Sequence, residues 1–202
     1  MNKINYLLWI ILLAFSNLAN ANNFKNDFFK PNSYDITYGK DDAPIEVLEY
    51  YSLTCHHCSY FYLSSFPSLK KEYIDSGKVK WIKRSFTTDL PSLKATMLLN
   101  CVGKNRYESY LKILMNKQSN WAYQKDFLTI LSNIASLGGM SLTEFKSCMD
   151  NKNNEHLIKD LSMQAKEELK IAGTPTFFIN KKKTEIFSEN SFREAFDKLL
   201  SK

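Results

Sequence analysis

Ile45-Glu46-Val47-Leu48-Glu49-Tyr50-Tyr51-Ser52-Leu53-Thr54-Cys55-His56-His57-Cys58 is an apolar extended run that ends in two thiols flanking two imidazoles. Ile45, Val47 and Tyr51 fall on one parity and Leu48 and Tyr50 on the other, so both faces are apolar, as in a buried strand. Residues i and i+3 share a helix face, so the two sulfurs can meet if Cys55 opens a helix. At that position the unpaired backbone N–H groups and the helix dipole favour an anion. Cys55 is therefore expected to ionise readily, and the pair to act as a reversible two-electron carrier. N–H donation from, or charge on, His56 and His57 would add to the same effect. The thiols would lie at the carboxyl end of a strand and the amino end of a helix, where open α/β sheets bind ligands.

Beyond Cys58, apolar residues recur at helical spacing (Phe61, Tyr62, Leu69, Tyr73) and the period stops by Gly77, with Pro67 expected to kink the helix. Residues 79–86, with Val79, Trp81 and Ile82, read as a second strand, which predicts a parallel crossover. From 89 to 172 the pattern is helical, punctuated by Gly103 and Gly138-Gly139, with a capping box at Ser141-Leu142-Thr143-Glu144 and a core face at Leu157, Leu161 and Ala165. After Gly173, the run from Thr174 to Ile179 is β-rich. Lys181 to Lys183 are expected to turn the chain into a strand at 184–187, and Ser191 to cap a last helix carrying Phe192, Phe196, Leu199 and Leu200. Residues 22–42 read as an N-terminal arm and 43–202 as the folded domain.

The chain has 202 residues and is 44% hydrophobic, enough for one domain with a real core. Lys3, the apolar stretch from Tyr6 to Phe15 and the small-x-small triplet Ala19-Asn20-Ala21 read as a signal peptide over 1–21, too short in its apolar part to span a bilayer. Export suits the even cysteine count, because disulfides persist in oxidising compartments. With Cys55 paired to Cys58, Cys101 and Cys148 can form a structural disulfide, for which loop entropy suggests about 4 kcal/mol. The alternative is two buried free thiols. The net charge of +6 is scattered along the chain, which argues against nucleic acid as a partner.

The strand leading into C-x-x-C, together with Gly173-Thr174-Pro175-Thr176-Phe177-Phe178 late in the chain, resembles the DsbA-like thiol:disulfide oxidoreductases of the thioredoxin superfamily. That resemblance implies an α/β thioredoxin fold whose two halves are separated by a helical insertion, here at about 89–172. It also implies Cys55 as exposed nucleophile, Cys58 as buried resolving thiol, and Pro175 in a cis peptide facing them, with the Thr174 hydroxyl nearby. A cis proline lacks an N–H and exposes adjacent backbone, so a client strand could pair beside the sulfurs. Glu49 matches the family's acidic residue in the strand before the active site and could relay protons to Cys58. His57 matches the family's histidine before the resolving cysteine, whereas His56 replaces a usual proline.

The function implied is oxidation of reduced, newly exported proteins in the periplasm by a monomer that needs no bound cofactor and is reoxidised by a membrane partner. An isomerase or reductase is the competing enzyme, kept open by Thr174. A different class of reading takes Cys55, His56, His57 and Cys58 as ligands of zinc or copper, but consecutive residues wrap one ion poorly. Haem attachment would need histidine where Ser59 stands. A non-catalytic chaperone or adhesion role would survive loss of both thiols. His156 reads as a surface residue, and Met97 and Met115 as core or half-exposed helix residues.

Overall fold

The computed structural model describes residues 28–202, and the expected leader at 1–21 lies outside the described residues. Residues 33–202 form one compact unit. Its sheet contains β1 (Ile36–Tyr38), β2 (Ile45–Tyr51), β3 (Val79–Ser85), β4 (Thr176–Ile179) and β5 (Lys182–Thr184) in the order β1-β3-β2-β4-β5. β2 and β3 are parallel and the other neighbours antiparallel, so the sheet is mixed, as in a thioredoxin fold. The run that precedes the thiols is the central strand, which explains why both of its faces are apolar. The arm proposed for 22–42 contributes an edge strand, so regular structure starts before the boundary drawn at 43.

Between β2 and β3 the chain is helical from 56 to 74, with α1 (His56–Tyr60) and α2 (Phe66–Leu69) separated by a wider π turn at Phe61–Ser65 and followed by another at Lys70–Ile74. Pro67 sits at the start of α2 but inside the continuous helix, Ser65 before it also being helical, so its missing N–H leaves a gap in the hydrogen-bond ladder. The kink expected at Pro67 thus takes the form of π turns on either side, a common answer to a broken hydrogen-bond ladder.

The insertion contains α3 (Leu90–Cys101), α4 (Lys104–Asn116), α5 (Gln118–Trp121), α6 (Phe127–Leu137), α7 (Leu142–Asp150) and α8 (Lys152–Glu168). α3 is the hub, packing against α4, α6, α7 and α8. The box at Ser141 and Glu144 is formed in both directions, and a second box at Asp89 and Ser92 opens α3. On α8 the buried face is Ile158, Ser162 and Ala165, one position on from the expected Leu157 and Leu161, which are half-buried. His156 is exposed, and Met97 and Met115 are buried.

Two expectations for the C-terminal part need correction. The turn after β4 is made by Asn180 and Lys181, both at positive φ (46° and 67°), so Lys182 and Lys183 already lie in β5 and the strand is not at 184–187. Tight hairpins favour positive φ at both central residues, and asparagine tolerates it. α9 (Glu189–Leu200) is capped by Ser188, whose hydroxyl accepts from the Ser191 N–H, so Ser191 is the capped residue. α9 and the 56–74 helix bring Phe192 and Phe61 onto the sheet, where Phe177 lies with ring centroids 5.0 Å from each. Trp81 joins the cluster at 5.8 Å from Phe61 and 5.4 Å from Phe192. This aromatic layer fixes the helix that carries the thiols against β3 and β4, the strands on either side of the one that leads to them.

Candidate active site

β2 ends at Tyr51, and a four-residue turn places Cys55 as the N-cap of α1. Its backbone is extended there (φ −79°, ψ 117°) and its sulfur accepts the Cys58 N–H at 3.3 Å. Cys55 is half-buried and Cys58 buried, and the two sulfurs are not bonded to each other, which is the geometry of the reduced pair. Across from them the Thr174–Pro175 peptide is cis, and Cys55 Sγ lies 3.1 Å from the Thr174 carbonyl, to which it donates when protonated. The two motifs, 119 residues apart in sequence, therefore meet at one sulfur.

The electrostatics separate the thiols. The Cys58 side chain is the strongest influence lowering the Cys55 pKa, to about 6; burial opposes it, and the Thr174 side chain and the Cys58 and His57 N–H groups assist. Burial pushes the Cys58 thiol well above its ordinary value, and its hydrogen bond to and the charge on Cys55 act in the same direction. Cys55 is the anion and Cys58 keeps its proton. His56 and His57 are exposed in the first turn of α1, with ring centroids 6.1 Å apart. His57 faces a cavity of about 1040 Å³ that also borders Tyr60, Phe61, Thr174, Pro175 and Phe187.

Glu49 is fully buried in β2, where its Oε2 accepts from Lys83 Nζ at 2.5 Å and Trp81 Nε1 at 2.8 Å. Its Oε1 is buried without a hydrogen-bond partner. Lys83, also fully buried, lies opposite Glu49 in the parallel register and packs over the Phe66, Tyr62 and Tyr51 rings, 4.7 to 5.3 Å from their centroids. Lys83 was not anticipated from sequence, although a lysine on the same parity as Val79 and Trp81 is a readable signal. Gln118, Tyr123 and Asp89 also reach the turn before Cys55, and nothing local in the sequence marks them.

Cys101 and Cys148 are joined by a disulfide at 2.05 Å, between α3 and α7 and away from the dithiol pair. Among the described residues no group of three or more His, Cys, Asp or Glu side chains is placed to hold a metal ion. No helix among them is long and apolar enough to cross a membrane.

A family model described as thioredoxin matches residues 31–202. A Rickettsia typhi protein named for protein-disulfide oxidoreductase activity is 36% identical over 174 residues, covering 85% of this chain and 64% of its own length. The disulfide bond formation protein D of Bacillus subtilis is 25% identical over 80% of this chain and 75% of its own. The crystal structure of Wolbachia pipientis alpha-DsbA1 superposes with a TM-score of 0.79 at 34% identity, covering 88% of this chain and 96% of that one.

Sheet order, dithiol and cis-proline loop define a thioredoxin-fold protein with a helical insertion. The chain belongs to the thioredoxin family, in its DsbA-like branch.

Proposed function

We propose that this protein is an exported thiol:disulfide oxidoreductase that introduces disulfides into reduced, newly exported proteins in the periplasm. The observation that carries the reading is the unequal pair: an accessible Cys55 held as a thiolate and a buried Cys58 held as a thiol. In the oxidised protein a client thiolate attacks Cys55 Sγ, the Cys55–Cys58 bond breaks, and Cys58 leaves and takes a proton. A second client thiolate then attacks the client sulfur of the mixed disulfide, and Cys55 leaves as a stable thiolate. The client has lost two electrons and two protons; the protein keeps both electrons and, on Cys58, one proton, and the other proton goes to solvent. A membrane partner removes that electron pair, and no bound cofactor takes part.

Glu49 is the group we assign to carry the Cys58 proton, since it is a buried carboxylate with one oxygen unpartnered. Thr174 and Pro175 hold the client backbone beside the sulfurs, and His57, on the rim of the adjoining cavity, meets the client first. His56 shares the first turn of α1 and adds an N–H donor at the open side. A good leaving group at Cys55 makes the disulfide oxidising, a trend known for DsbA itself.

The test is the equilibrium of the Cys55–Cys58 disulfide with glutathione, combined with oxidation of a reduced, unfolded client. A strongly oxidising equilibrium, with client oxidation lost in Cys55→Ser, is the expected result. A thioredoxin-like equilibrium would reassign the protein as a reductase, and activity surviving Cys55→Ser would end the redox reading.

A further inference from the structure

Three consecutive carbonyls, those of Leu53, Thr54 and Cys55, are held by side chains from one short stretch of the helical insertion. Gln118 Nε2 donates to Leu53 O at 2.8 Å and to Cys55 O at 3.0 Å. The Tyr123 hydroxyl donates to Thr54 O at 2.7 Å. Gln118 is only 4% exposed, an unusual position for an amide, and both of its bonds go to this turn. Tyr123 is 63% exposed, so packing does not account for its placement. From the same side Asp89 Oδ2 accepts the Thr54 hydroxyl at 2.7 Å.

We infer that Gln118 and Tyr123 are positioning residues that set the ionisation of Cys55 by fixing the orientation of the turn before it. The Thr174 carbonyl already stands 3.1 Å from the sulfur; a second carbonyl, turned to it from the 53–55 turn, would oppose negative charge there further, whereas an N–H pointing at it favours that charge. Tying three successive carbonyls to donors on the insertion leaves the turn one orientation. In that orientation the Cys58 N–H meets Sγ at 3.3 Å, while Cys55 O accepts the Ser59 N–H at 3.1 Å and starts the helix ladder. The insertion thereby acts on the chemistry of the thioredoxin core through hydrogen bonds to its backbone. Neither residue is assigned contact with a client, and the inference rests on the thiolate reading of the preceding section.

The experiment is a pH titration of the dithiol protein by thiolate absorbance at 240 nm for wild type, Gln118→Leu and Tyr123→Phe, with the glutathione equilibrium measured in parallel. Expected is a Cys55 ionisation constant about tenfold weaker in Gln118→Leu, one pKa unit, and about threefold weaker in Tyr123→Phe. The disulfide should become less oxidising by matching factors. Packing loss alone would lower the melting temperature and leave the ionisation constant in place. Wild type ionising like free cysteine would remove the underlying reading. A low wild-type value left unchanged in the variants would overturn the inference alone. If Gln118→Leu fails to fold, Tyr123→Phe decides, since that exposed residue loses one hydroxyl.

Discussion

At the scale of single residues, the Glu49–Lys83 pair is a fully buried ion pair and directly open to test. Two charges with no solvent access must overcome a large desolvation penalty, and each depends on the other to do so. Glu49→Gln leaves the ammonium buried without its counter-ion, and Lys83→Met leaves the carboxylate with Trp81 alone. Each single change is expected to destabilise the protein by about 3–5 kcal/mol in urea unfolding. The double variant Glu49→Gln/Lys83→Met, which removes both charges, is expected to lose less than the sum of the two. Strict additivity would mean that the pair is not coupled. If Glu49 also carries the Cys58 proton, Glu49→Gln should slow opening of the disulfide in stopped-flow measurements while leaving the Cys55 titration nearly in place.

At the scale of elements, the caps show what was readable from the sequence and what was not. Ser141 and Glu144 sit at capping-box spacing before an apolar run, and local chemistry alone decides that helix start. Asp89 caps α3 by accepting the Ser92 N–H at 2.7 Å, but it also accepts the Thr54 hydroxyl from the active-site turn. Ser141→Ala is expected to cost about 1 kcal/mol, the usual cost of losing a cap. Asp89→Ala should cost more, because the Thr54 hydroxyl loses its carboxylate acceptor as well and keeps only Ser52 Oγ at 3.1 Å, and it should disturb Cys55 reactivity where Ser141→Ala does not. Urea unfolding and alkylation rates check the two halves of that statement, and equal costs would contradict it. The same distinction explains the misplaced strand at 184–187. The Lys181 to Lys183 triplet marked a turn by charge, whereas the chain turns where Asn180 both accepts positive φ and takes the Glu46 N–H on its side chain at 2.8 Å. The strand into Cys55, the helical insertion and the Thr174–Pro175 motif were legible because period and local motif define them. Gln118 and Tyr123 were not, because only the fold reveals what they meet, and for Lys83 the strand parity signals an inward side chain but not its Glu49 partner.

At the scale of the whole molecule, the two cysteine pairs act on stability in different ways. The Cys101–Cys148 bond closes a 47-residue separation within the insertion, so it constrains mainly the unfolded chain. Replacing both cysteines with alanine is expected to cost about 2–4 kcal/mol, equally in the dithiol and disulfide forms of the active site. The active-site pair works through the folded state, and its effect depends on pH. In the folded dithiol form Cys55 titrates near 6, below its unfolded value near 9. A depressed folded pKa contributes stability that is present above the unfolded value and lost as pH falls toward the folded one. Cys58 is raised instead, so its contribution holds below the unfolded value and fades as pH rises beyond it. Neither group titrates in the disulfide form. The melting temperature of the dithiol form should therefore rise relative to the disulfide form between about pH 6 and pH 8 and stop rising near pH 9, where the two thiols oppose each other. Thermal unfolding of both forms, after mild reduction that leaves Cys101–Cys148 intact by thiol count, measures the gap directly. A gap that stays constant across that range would mean that folding does not stabilise the Cys55 anion, and the oxidising power proposed for the disulfide would lose its source.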